Sequence, residues 1–202
     1  MECVVALLQS IVMVCVVVII ISNQDFVTVK EIHLTVMESA VVGDDVLGDD
    51  LTVIELQNKL ATMFGKEAGL FVASGTMSNA VAIRTHTVPG DEIICDKSAH
   101  IYRYEGGGYA ALSGTSIALV DGDKGIMSAE QVQKAIRKAA GSQSHYPNGT
   151  LVCVENTSNL GGGACYPQDV LDEIATVARA NDCKAHIDGA RIFNAVVATG
   201  VD

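Results

Sequence analysis

Short apolar runs alternate with helical stretches through most of the chain, and this alternation constrains the fold more than any other feature. Apolar runs at 69–73, 92–95, 116–120, 151–154 and 185–187 read as buried strands. The stretches 77–87, 98–105, 128–139 and 167–180 between them read as helices. Strands separated by helices predict an α/β fold with a mostly parallel sheet covered by helices on both faces. The 202 residues suffice for one such domain or for a piece of a larger one.

In open α/β sheets ligands bind beyond the C-terminal ends of the strands. The last predicted strand ends in Ala185-His186-Ile187-Asp188-Gly189-Ala190-Arg191, which sets an acid and a guanidinium three residues apart at that edge. A carboxylate there can pair with the protonated ring nitrogen of pyridoxal phosphate (PLP), and an arginine can grip a substrate carboxylate through two parallel hydrogen bonds. The plainer alternative is a strand-end ion pair between Asp188 and Arg191 with no ligand. Upstream, Ala73-Ser74-Gly75-Thr76-Met77-Ser78-Asn79 leaves an apolar run and opens a helix. Glycine lets a ligand approach the backbone, and hydroxyls with amides at a helix N-terminus suit a phosphate dianion. An ordinary Ser or Thr cap would look the same. It is neither a P-loop nor a dinucleotide-binding G-x-G-x-x-G.

Of the five histidines, His100 follows a strand, where its flat ring can stack on a bound ring. His145 lies in the polar loop from Ser142 to Gly149 and has the chemistry of a general base near neutral pH. His33, His86 and His186 read as surface or satisfied core histidines. No metal site is expected. The acidic loop Gly43-Asp44-Asp45-Val46-Leu47-Gly48-Asp49-Asp50 lacks EF-hand spacing and reads as a solvated turn. It precedes a helix over Thr52–Phe64 capped by Asp50 or Thr52, with Val53, Leu56, Leu60 and Met63 at helical spacing.

A net charge of −11 argues against nucleic acid or anionic lipid as a partner. The 6 cysteines contain no C-x-x-C pair, which excludes a zinc finger or thioredoxin-like motif and suits a reducing compartment. From Cys3 to Ile21 no residue is charged. As a helix this run would be about 28 Å long, close to the thickness of a bilayer's hydrocarbon core. It is either a membrane anchor or a misread start of the coding sequence joined to a cytoplasmic domain. The expected organisation is thus an apolar segment at 1–22, an arm with the acidic loop at 23–50, and a cofactor-binding domain at 51–202.

Taken in order, these motifs resemble the low-specificity L-threonine aldolases, members of the β-eliminating lyase group of fold-type-I PLP enzymes. The resemblance runs from about Ala40 to Asp202. It rests on Val42-Gly43-Asp44-Asp45-Val46, Gly65-Lys66-Glu67-Ala68, Ser74-Gly75-Thr76-Met77, Glu155-Asn156-Thr157 and His186-Ile187-Asp188-Gly189-Ala190-Arg191-Ile192-Phe193-Asn194-Ala195. It implies that Gly75 and Thr76 hold the PLP phosphate, that His100 stacks over the ring, and that Asp188 partners the pyridine nitrogen. Arg191 would contact cofactor and substrate carboxylate, and His145 would lie near the substrate hydroxyl. The implied reaction cleaves L-threonine or L-allo-threonine to glycine and acetaldehyde. A homo-oligomer with sites at a subunit interface is implied too.

The departures are specific. No lysine follows Asp188, whereas the family places its Schiff-base lysine there; Lys184 stands at the wrong end of the same strand. An R-S-D-T-V-T segment has no counterpart in 23–40, and Leu47, Leu51 and Ser158 stand where the family commonly has Tyr, Pro and His. The sequence thus reads as the first half of a threonine aldolase, expected to form no covalent link to PLP and to be inactive alone. The alternatives are a membrane-tethered, non-catalytic domain that binds PLP or a partner, and a β-eliminating lyase on the same scaffold.

Overall fold

The computed structural model describes residues 39–44 and 46–201, together with the backbone of 11–15. Residues from Val72 onward and the strand β1 (Ile11–Cys15) form one compact unit, and the helix α1 (Leu51–Met63) belongs to a second. In the second unit Asp50 caps α1, its Oδ1 accepting the Val53 N–H at 2.9 Å. The acidic loop turns on itself: Asp50 Oδ2 accepts the Gly43 N–H at 3.2 Å and Asp49 accepts that of Asp44. These carboxylates are spent on backbone amides, as a solvated capping turn requires.

The main unit is a parallel sheet. Its strands are β1, β2 (Asp91–Asp96), β3 (Ser116–Val120), β4 (Asn148–Glu155) and β5 (Lys184–Asp188), in the order β1-β5-β4-β2-β3. Its helices are α2 (Gly75–His86), α3 (His100–Arg103), α4 (Gly108–Ser113), α5 (Ala129–Ala135), α6 (Gln168–Ala180) and α7 (Ile192–Thr199). Side chains alternate across the strands. Ile93, Cys95, Leu151 and Cys153 face Ile83 of α2 and Ile101 of α3. Ile94, Val152, Val154 and Ile187 face Val132 of α5 and the helix α6. Helix α6 meets them with Leu171, Ile174, Ala175 and Ala178, spaced to lie on one face. Ile93, Ile94 and Leu151 are wholly buried, each contributing about 1.5–3 kcal/mol.

Three expectations need correction. Residues 69–73 form no strand; Leu70 and Phe71 are exposed, and the Phe71 N–H is held by Gln57 Oε1 at 2.8 Å. The run has apolar character, but among the described residues it pairs with no neighbouring strand. Residues 11–15, inside the stretch read as a membrane helix, instead form a strand parallel to β5. The rest of that stretch lies outside the described residues, as does His33. Among the described residues no helix is long and apolar enough to cross a membrane. Third, the ion pair weighed between Asp188 and Arg191 is not formed: Arg191 Nη2 donates to Asn159 Oδ1 at 2.9 Å.

The topology locates the site. From β2 the chain steps outward to β3, then returns to the other side of β2 to place β4 and β5. The reversal falls between β2 and β4, and the C-terminal ends of strands beside such a switch point are the position where sheets of this kind receive ligands.

Candidate active site

Asp188 ends β5 and Glu155 ends β4, and the two are partners in the strand register. Both are buried, on the face that carries Cys153 and α2. Asp188 is satisfied there by two donors: Asn79 Nδ2 reaches its Oδ2 at 3.0 Å, and the Ala190 N–H reaches its Oδ1 at 3.3 Å.

Asn79 joins three elements. It sits on α2 at 2 % exposure, one turn beyond Gly75 and Thr76. Its second amide hydrogen goes to Glu105 Oε1 at 2.7 Å, and its Oδ1 lies 2.9 Å from His186 Nε2. Since an amide oxygen only accepts, this contact makes His186 Nε2 the protonated nitrogen. His186 is a satisfied core histidine, as expected, and it steers Asn79 so that both N–H groups point at carboxylates. His86 is half-buried with its Nε2 unpartnered; burial, then the charge of Lys184, lowers its pKa.

His100 begins α3 with its side chain 37 % exposed, and its Nδ1 lies 3.0 Å from Glu105 Oε1. A carboxylate partner requires a proton on Nδ1 and leaves Nε2 as the ring nitrogen that can exchange a proton with a ligand. The Glu105 side chain is 4 % exposed. His100, Glu105 and Asp188 bring their ligating atoms within 4.8 Å of one another, a spacing that would also suit a metal ion. Asn79 donates into both carboxylates, however, and an N–H aimed at that centre opposes a cation.

Ser74 caps α2 through a 3.1 Å bond from the Met77 N–H, leaving Gly75 and the exposed Thr76 in the first helical turn. That end of α2 and Asp188 are bridged by Asn79. The residues fit PLP: an anion-binding helix end, a buried carboxylate for a ring N–H and a half-exposed flat side chain beside them. Arg191 is exposed at the start of α7 and is held by Asn159. His145 is not brought to this place. It lies before β4, at the opposite end of the sheet, with its ring 4.5 Å from that of Tyr146. At ~3.3 Å per residue the length of β4 separates the two ends.

The sequence matches the beta-eliminating lyase family over residues 30–202. The chain belongs to that family. Similar proteins include the low-specificity L-threonine aldolase 1 of Arabidopsis thaliana, 42% identical over 82% of this chain and 46% of that protein. The low specificity L-threonine aldolase of Escherichia coli K12 is 39% identical over 84% of this chain and 49% of its own length. This beta-eliminating lyase family chain therefore spans about half the length of these relatives. Among solved structures, the threonine aldolase of Leishmania major aligns with a TM-score of 0.55 at 23% identity, covering 61% of this chain and 34% of that one. The serine palmitoyltransferase of S. paucimobilis with a bound PLP–myriocin aldimine aligns with a TM-score of 0.57 at 19% identity, over 82% of this chain and 38% of that one. Those likenesses establish the fold-type-I α/β architecture.

Asn79, Glu105, Glu155 and Asn159 carry no role in the reading of the sequence, and the structure places all four at the site. Asn79 had one available signal: a polar residue one turn into a helix, at a position whose neighbours Ala82 and Ile83 are buried. The other three are joined by contacts between separate elements, for which no local pattern exists.

Proposed function

We propose that this chain binds PLP at the C-terminal ends of β2 and β4 and carries the cofactor-binding part of an aldehyde-lyase that cleaves L-threonine and L-allo-threonine to glycine and acetaldehyde. The observation that supports this best is the Asn79 bridge, which ties the phosphate-binding end of α2 to the carboxylate of Asp188. When bound, PLP supplies an electron sink for the carbon left by the departing aldehyde.

The chain's own residues do the rest. Gly75 and Thr76 receive the phosphate at the positive end of α2. Asp188, held by Asn79 and the Ala190 amide, keeps the ring nitrogen protonated. His100 packs against the ring and takes the substrate's β-hydroxyl proton at Nε2, while Glu105 holds its Nδ1 proton. Arg191 grips the substrate carboxylate. His145 has no part in this arrangement within one chain. The free thiols of Cys95, Cys153 and Cys183 fit a reducing, cytoplasmic setting. A role in threonine breakdown and glycine supply follows from the reaction, and the family likeness supports, as part of the proposal, a homo-oligomer.

Calorimetry with pyridoxamine phosphate and with N-(5′-phosphopyridoxyl)glycine, a stable adduct carrying ring, phosphate and carboxylate, tests the site without requiring a covalent link to the chain. Saturable binding of both is expected, with competition by PLP. Absence of binding by either would end this reading. Incubation with L-threonine, L-allo-threonine and a cysteine derivative, followed by aldehyde and pyruvate assays, separates aldol cleavage from β-elimination.

A further inference from the structure

We propose that Glu155 is a positioning residue whose single carboxylate sets both the ring-stacking His100 and the carboxylate-gripping Arg191. The proposal rests on the cofactor site described above.

Glu155 is 7 % exposed. Its Oε2 accepts the backbone N–H of His100 at 3.1 Å, and its Oε1 accepts that of Asn159 at 3.0 Å. Asn159 in turn accepts from Arg191 Nη2 at 2.9 Å. One side chain at the end of β4 thus holds the first residue of α3 and, through one intermediate, the first residue before α7. Helix α3 has no cap of its own, because Ala99 precedes it with no side-chain acceptor. Glu155 supplies that acceptor from another strand, so the direction of the His100 ring depends on it. Among the described residues no ion pair is formed by Glu155. Its register partner is another carboxylate, Asp188. An unpaired buried carboxylate beside a second one is a poor device for stability alone. It is a good device for holding two N–H donors at a defined separation, since both of its oxygens accept. A glutamine at the same place has one accepting oxygen and an NH₂ group that would face the second N–H.

The test compares wild type, E155Q, E155D and, as a control on the far face of the sheet, S128A. The ¹H–¹⁵N resonances and hydrogen exchange of the His100 and Asn159 amides are followed, together with affinities for pyridoxamine phosphate and N-(5′-phosphopyridoxyl)glycine. In E155Q at least one of the two amides should lose its protection. Affinity for the glycine adduct should fall by about tenfold or more. Affinity for pyridoxamine phosphate should fall less, since it lacks the carboxylate that Arg191 holds. E155D, one methylene shorter, should show the same pattern and carries the test if E155Q does not fold. S128A loses stability with both affinities intact. Wild-type affinities for both probes in a folded E155Q or E155D overturn the positioning role while leaving the cofactor site standing. Failure of the wild-type chain to bind either probe overturns both.

Discussion

Asn79 and Asp188 stand 109 residues apart in the chain and meet at 3.0 Å, the amide of one donating to the carboxylate of the other. The contact joins the second turn of α2 to the last residue of β5. Asn79 also donates to Glu105 and accepts from His186, so its removal takes one hydrogen bond from each of three buried side chains at once. N79A is expected to cost about 2–4 kcal/mol, the sum of lost bonds and unsatisfied partners. N79D should cost more at neutral pH, because it sets an acceptor against two carboxylates. Urea unfolding of the three proteins checks both statements; a change in N79A of under about 0.5 kcal/mol would show that the partners find other donors.

A second expectation concerns pH. Burial pushes the Glu155 carboxyl above its ordinary value of 4.5, the charge of Asp188 adds to this, and the N–H groups of Asn159 and His100, with the His100 charge, oppose it. A carboxyl whose pKa is raised on folding holds its proton more tightly in the native state. Its contribution is therefore most favourable below the unfolded pKa and declines as pH rises through the folded one. Wild type should lose part of its stability on going upward from pH 4.5, and E155Q should lack that component. Denaturant titrations across that range compare the two slopes; equal slopes would contradict the assignment.

How much of this was legible beforehand depended on whether the signal was local. The strands around Ile93, Leu151 and Ile187 were readable because each is a short apolar run flanked by helical patterns, and all three lie in the sheet. Ser74 and Asp50 were readable as caps for the same reason. Leu70 and Phe71 misled because an apolar run carries no information on whether a neighbouring strand exists to pair with it. Helix α4 was missed: it lies between Gly107 and Gly114, both at positive φ, in a glycine-rich stretch that reads as loop. Asp188 and His100 were visible as chemistry. The Asn79–Glu105 link between them was not, since it spans 26 residues and belongs to no motif.

Away from the site, Glu92 is the test of a buried charge. Its side chain is 1 % exposed and is gripped by the Arg137 guanidinium through Nε at 2.9 Å and through Nη2, with the guanidinium 5.5 Å from the Tyr146 ring. R137A would strand the carboxylate and should cost about 2–4 kcal/mol, toward the lower side because the arginine is half-exposed. The double variant E92Q/R137A should be more stable than R137A, since it removes the stranded charge. Thermal unfolding of the set decides it; a double variant less stable than R137A would show that other donors, among them the Ser116 hydroxyl 3.4 Å from Oε1, satisfy the carboxylate without the arginine.

The role proposed for Arg191 separates recognition of the cofactor from recognition of the substrate. It is exposed, and its side chain donates to Asn159 on a neighbouring loop, so that side chain's contribution to folding is small. R191A should change stability by no more than ~0.5 kcal/mol. Affinity for N-(5′-phosphopyridoxyl)glycine should fall by about tenfold or more, because a charge-assisted pair with the carboxylate is lost. Affinity for pyridoxamine phosphate, whose ring and phosphate would be held by Asp188 and the end of α2, should stay within about twofold of wild type. R191K keeps the charge but not the planar fork, and it should recover only part of the loss. Calorimetric titrations of both ligands against the three proteins give the comparison. An equal loss for the two ligands would mean that Arg191 holds the cofactor itself and leaves the substrate carboxylate to another group.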